Sequence, residues 1–212
     1  MDRVELIIFD LDGTLVNAYK AIIKSVNFTL LKLGYTKQTD SNILRAVGWG
    51  DKKLVGAFTA PKDVKRALAI YRRHHRATLK EYSRLLPFAR GILVYLLRRG
   101  YKLAVASNRP TEFTNIILRR LKIKKYFDYV LCADKLSRGK PHPQILLNIM
   151  NKLRTGKDET IYVGDMAIDV VAAHNAGVKA MVVRGGLSTL KEIKKARPFK
   201  LIKNLASLRN YL

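Results

Sequence analysis

The chain has 212 residues, 48% hydrophobic and 27% charged, enough to bury a full core as one domain or as a core with a small insert. No apolar run reaches the length of a membrane span, Met1-Asp2-Arg3 leads into a strand without a signal-peptide pattern, and the single cysteine, Cys132, excludes an internal disulfide and suits a reducing cytoplasm. With 41 Lys and Arg against 16 Asp and Glu, the formal charge of +25 attracts anions (phosphorylated metabolites, nucleic acid, acidic lipid), but cations spread from Lys20 to Arg209 single out none of these.

Val4–Asp10 reads as a first buried strand. From Asn17 to Leu33 the apolar residues Ile22, Ile23, Val26, Leu30 and Leu33 share one helical face, and Gly34 fits a helix stop. Asp40 or Ser41 can cap a short helix carrying Ile43, Leu44 and Val47. Gly48-Trp49-Gly50 breaks it, and Asp51 can cap the next. Pro61 and Asp63 open a longer helix through Tyr82. Residues 17–86 therefore read as all-helical.

After Pro87 the rhythm changes to alternating strands and helices. Helices are expected over 91–99, 111–121, 143–153, 167–176 and 188–196. Strands are expected over 102–107, 127–132, 160–165 and 179–184. Short apolar strands alternating with helices imply a parallel sheet with right-handed crossovers and helices on both faces. The expected architecture is α/β, a Rossmann-like parallel core of strand order 3-2-1-4-5. An all-helical cap, residues 16–86, is inserted into a core of residues 1–15 and 87–212.

The polar residues gather at strand ends. Asp10 and Asp12 follow the first strand, Ser107 and Asn108 the second, and Asp165 the fourth, with Asp169 one helical turn later. Lys140 lies in the loop after the third, in Gly139-Lys140-Pro141-His142-Pro143. In an open α/β sheet the ligand crevice lies beyond the carboxyl ends of the strands, where the order reverses. Several carboxylates, a lysine and a hydroxyl suit metal-assisted phosphoryl transfer, because Mg²⁺ prefers oxygen ligands and the chemistry is mostly positioning and charge neutralisation.

Asp10-Leu11-Asp12-Gly13-Thr14, Ser107, Lys140 and Gly164-Asp165-Met166-Ala167-Ile168-Asp169 resemble the four ordered motifs of the haloacid dehalogenase superfamily. The helical insert resembles that superfamily's cap. The resemblance implies Asp10 as nucleophile and Asp12 as acid/base. It implies Ser107, with Asn108 and Thr14, at the phosphate and Lys140 as the balancing cation. Asp10, Asp12 (through a backbone carbonyl), Asp165 and Asp169 would be the Mg²⁺ site, Asp169 from behind. Asp12 argues against the dehalogenases and phosphonate hydrolases, which replace it. Ser107-Asn108-Arg109-Pro110 and Tyr126-Phe127-Asp128 resemble the Thr-Asn-Lys-Pro and Tyr-Phe-Asp segments of phosphoglycolate phosphatase-like members. Met166 departs from the small polar residue common after Gly-Asp.

The function expected is a cytoplasmic, Mg²⁺-dependent phosphatase acting on a small phosphorylated metabolite through an aspartyl-phosphate. A sugar-phosphate mutase or an inorganic pyrophosphatase on the same fold stays open, as does a nucleic-acid-binding protein, which rests on charge alone. Trp49 reads as a half-buried turn residue or as a lid over the leaving group. Arg109 reads as an anion reader or a surface residue. Adjacent His74 and His75 diverge on a helix and make a poor metal pair.

Overall fold

The computed structural model describes residues 4–212; Met1-Asp2-Arg3, on which the expected run into the first strand rests, lie outside that range. Strand β1 (Leu6–Phe9) has no solvent-exposed residue. Its side chains alternate: Ile7 and Phe9 enter the core on one face of the sheet, Leu6 and Ile8 on the other. Full burial of such a side chain contributes about 1.5–3 kcal/mol. The strand is thereby anchored from both sides, and the carboxylates that follow it are held in place.

The two-residue strand β2 (Val16–Asn17) leads into the helical insert of α1 (Tyr19–Lys32), α2 (Asp40–Arg45), α3 (Asp51–Gly56) and α4 (Val64–Tyr82), the last preceded by a 3-10 turn at Pro61–Asp63. The chain returns through β3 (Arg84–Leu85), which pairs antiparallel with β2. This small ribbon explains why α1 starts at Tyr19 and not at Asn17. Two expected caps are corrected. Thr39 caps α2, its hydroxyl accepting from the Asn42 N–H at 3.2 Å, and Gly50, at φ 89°, precedes α3. Thr39 is one residue outside the apolar pattern, which is why Asp40 looked like the cap.

The core continues through α5 (Ala89–Arg98), β4 (Lys102–Ser107), α6 (Thr111–Arg120), β5 (Tyr129–Cys132), α7 (Gln144–Leu153) and β6 (Thr160–Gly164). It ends with α8 (Ala167–Ala176), β7 (Lys179–Val183), α9 (Leu190–Ala196) and β8 (Lys200–Ile202). The sheet order is β5-β4-β1-β6-β7-β8, every neighbour parallel. The α/β class and the 3-2-1-4-5 order of the core strands are as expected, with β8 added as a sixth strand. That strand is three residues long at a sheet edge, and only Ile202 in it is buried, so it lacks the apolar run that marks the others. The insert rests on the core through α4 against α6, where Arg76 pairs with Glu112 and Arg120 donates to the Lys80 carbonyl at 2.9 Å.

Candidate active site

Strand order reverses at β1, and the loops after β1, β4, β5 and β6 converge there. Lys140 Nζ is the hub. It donates to Asp10 Oδ1 at 2.6 Å, to Asp169 Oδ1 at 2.7 Å and to the Tyr162 hydroxyl at 2.9 Å. Asp10, Asp165 and Asp169 each bring a carboxylate oxygen within 4.8 Å of the others, and all three are buried. Burial, opposed by Lys140 and reinforced by Asp169, pushes the Asp10 carboxyl up to about 7. Burial and the Asp169 and Asp10 charges push Asp165 well above the usual carboxylate range. One ammonium does not balance this much buried negative charge, so the cluster favours a further cation.

The donor set fits one. Asp165 Oδ1 accepts from the Thr14 hydroxyl at 3.2 Å, while Oδ2 is buried with no partner. Space is kept beside that oxygen by two glycines. A Cβ at Gly13, where φ is +84°, would lie 2.2 Å from Oδ2, and one at Gly186 would lie 2.1 Å from it. Asp169 is already engaged. Its Oδ2 accepts from the Asp165 and Met166 N–H groups at 3.2 and 3.0 Å, and its Oδ1 is taken by Lys140 and Tyr162. Asp10 and Asp165 are therefore the available oxygen donors for a hard divalent ion, with Asp169 bracing the loop from behind.

Asp12 faces a different partner. Its two oxygens accept from Arg109 Nε at 2.7 Å and Nη2 at 2.9 Å. Arg109 is buried, which excludes the surface alternative for it. Ser107 Oγ accepts from the Arg109 N–H at 3.1 Å. Asn108 ties loops together: its amide donates to the Gly48 and Lys140 carbonyls at 2.8 and 3.0 Å and accepts from the Lys140 N–H at 2.8 Å. Thr14 and Asn108 thus spend their polar atoms on protein groups.

A pocket lies over these groups. Asp10, Asp12, Ser107, Arg109 and Lys140 line its floor, and Tyr19, Ile22, Val47, Leu54 and Tyr71 of the insert cover it. Gly48 and Gly50 reach the lining. Trp49 does not; it is 46% exposed, with Lys53 over its ring, as a turn residue would be. Two participants, Tyr19 and Tyr162, were not singled out in the sequence, and His75 was read there only as half of a poor metal pair. The Tyr19 hydroxyl is buried without a partner at the pocket wall, Tyr162 bridges Lys140 and Asp169, and His75 contacts Arg109. Tyr19 and Tyr162 sit in a helix and a strand where their apolar character looked sufficient reason for them. Only the third dimension shows where their hydroxyls point.

Comparison with known proteins finds relatives over nearly the whole chain. The model of the haloacid dehalogenase-like hydrolases matches residues 7–183. A phosphoglycolate phosphatase from Aquifex aeolicus is 29% identical over 94% of this chain and 96% of its own. One from Pseudomonas fluorescens is 31% identical over 96% of this chain and 78% of its own. The crystal structure of a predicted phosphoglycolate phosphatase from Haemophilus somnus superposes with a TM-score of 0.94, covering 100% of this chain and 99% of the other at 26% identity.

Proposed function

This chain belongs to the haloacid dehalogenase-like hydrolase family, and from that premise we propose that it is a Mg²⁺-dependent phosphatase acting on a small phosphorylated metabolite, with phosphoglycolate the first candidate. The observation that carries this reading is the buried cluster of Asp10, Asp165 and Asp169 around Lys140, at the floor of a pocket that also holds Asp12. Residues 1–15 and 87–212 act as the catalytic core and residues 16–86 as its cap. The free buried thiol of Cys132 is compatible with work in the cytoplasm.

Asp10 attacks phosphorus, forming an aspartyl-phosphate as the ester P–O bond breaks. Asp12 gives its proton to the leaving oxygen. It then takes a proton from the water that attacks the same phosphorus, and the Asp10–phosphorus bond breaks to release phosphate and free Asp10. Ser107 donates to a phosphate oxygen, and Lys140 offsets charge on Asp10 and on the phosphoryl group. Mg²⁺, held by Asp10 and Asp165, supplies further neutralisation of phosphate charge when bound. The insert excludes water and shapes the space for the leaving group.

The test is phosphate release from a panel of phosphate esters with and without Mg²⁺. Phosphoglycolate is expected among the best substrates, with activity lost in EDTA and restored by excess Mg²⁺. A hexose phosphate converted to its isomer without free phosphate would make the enzyme a mutase, and no turnover of any ester would end the reading.

A further inference from the structure

Two buried oxygens of the site have no hydrogen-bond partner among the described residues, Asp165 Oδ2 and the Tyr19 hydroxyl. They face the same small space. A Cβ at Gly13 would lie 2.2 Å from the first and 2.3 Å from the second, yet no hydrogen bond joins them. Gly13 keeps that space open, since its φ of +84° and its missing side chain let both oxygens approach its backbone. Asp165 reaches the space from the end of β6. Tyr19 reaches it from the first turn of α1, where its N–H donates to Asn17 Oδ1 at 3.2 Å, and it lines the pocket wall with Ile22. This tyrosine lies outside the Asp10-Leu11-Asp12-Gly13-Thr14 motif and is announced by none of its residues.

A buried polar oxygen left unpaired costs free energy, and here two are left unpaired at one spot. The cost is recovered when a donor comes between them. The carboxylate oxygen only accepts, whereas the phenol both donates and accepts. A divalent ion supplies such donors, because Mg²⁺ prefers oxygen, keeps several of its waters and polarises them. The phenol suits the place for a second reason. It is neutral, so it adds an oxygen without adding charge where Asp10, Asp165 and Asp169 already repel one another.

We propose that Tyr19 is a positioning residue for the divalent cation: its hydroxyl accepts from a water that the ion carries beside Asp165. The proposal rests on the reading of Asp10 and Asp165 as the ion's protein ligands. It adds a contact from outside the strand-end loops that supply the others. In the ion-free protein the hydroxyl holds nothing, so its removal should not weaken the fold.

Tyr19→Phe removes that single oxygen and keeps the ring. Mn²⁺ is titrated into wild type and variant without substrate, free Mn²⁺ being counted by electron paramagnetic resonance, and Mg²⁺ affinity is read by competition. Asp165→Asn sets the level of binding elsewhere on the protein. Thermal midpoints are taken in EDTA and in Mg²⁺. The Phe variant should bind both ions about 10- to 100-fold more weakly, the usual effect of losing a hydrogen-bonding group around a metal. Its midpoint in EDTA should equal or exceed that of wild type, because an unpaired buried hydroxyl is gone. Wild type should gain more from Mg²⁺ than the variant does, by mass action. Unchanged ion affinity would overturn the proposal. So would a midpoint lowered in EDTA, or a variant that does not fold, since the hydroxyl would then be held by the protein itself. Wild type that binds neither ion above the Asp165→Asn level would fail the cation reading, a result that the wild-type titration reveals by itself.

Discussion

Lys140 touches two carboxylates and a phenol from a buried position, so its removal strands negative charge that nothing else balances. Lys140→Ala is expected to destabilise the fold by about 3–5 kcal/mol, the usual cost of breaking a buried pair from one side, read as a lower denaturant midpoint. Asp10→Asn acts the other way on charge. It removes an anion that burial already disfavours, so the variant should stay folded while turnover falls by about 10,000-fold or more. A clean preparation that keeps releasing phosphate with Mg²⁺ would contradict attack by Asp10. Asp12→Asn should slow turnover by about 100- to 10,000-fold and let labelled phospho-enzyme accumulate, because hydrolysis of that intermediate needs the same carboxylate as base. The motif aspartates and Lys140 were legible in the sequence because each stands at a predicted strand end or loop. The Arg109 link was not, since Asp12 and Arg109 are 97 positions apart and their pairing depends on how β1 and β4 lie side by side.

At the level of elements, α4 is the part of the insert that meets the catalytic floor. Periodicity predicted the helix well, but it could not show which side of the His74-His75 pair faces in. His74 stacks on Phe28 at 4.0 Å near the surface, and His75 is buried against α1 and α6. The groups facing His75 are Arg109 from the β4 loop, Phe113 on α6, Ser25 on α1, and Tyr71, Thr78 and His74 around it; only Arg109 among them carries a fixed charge. This has a consequence for stability against pH. The folded protein holds His75 neutral well below its ordinary value of 6.5, whereas the unfolded chain takes up a proton there. The stability this contributes is fully present above that value and is lost as pH falls, at up to about 1.4 kcal/mol per pH unit. His75→Gln should therefore flatten the fall in thermal midpoint on acidification below pH 6.5 relative to wild type. His74, lowered by burial and Lys24, slopes the same way in both proteins and cancels in the difference. Parallel curves for the two proteins would show that His75 titrates alike in both states.

For the whole molecule, the charge of +25 is the property that the fold leaves least resolved. Among the described residues, carboxylate pairing engages Arg72, Arg76, Lys102, Arg109 and Lys140, and two of these are in the site itself. The other cations face a field with few compensating anions. Self-repulsion of that size opposes the compact state, and the same field draws phosphate esters toward the pocket. Both effects are screened within a Debye length of about 10 Å at 0.1 M salt, which makes them separable from chemistry. Raising KCl from low to high ionic strength should lift the thermal midpoint as repulsion weakens. Over the same range kcat/KM for an anionic ester should fall several-fold, while kcat, set by groups buried beneath the insert, changes little. Were kcat/KM flat across the series, the surface cations would play no part in substrate capture. Their excess would then need another partner, and a salt-resistant shift of duplex or single-stranded nucleic acid in a gel would identify it.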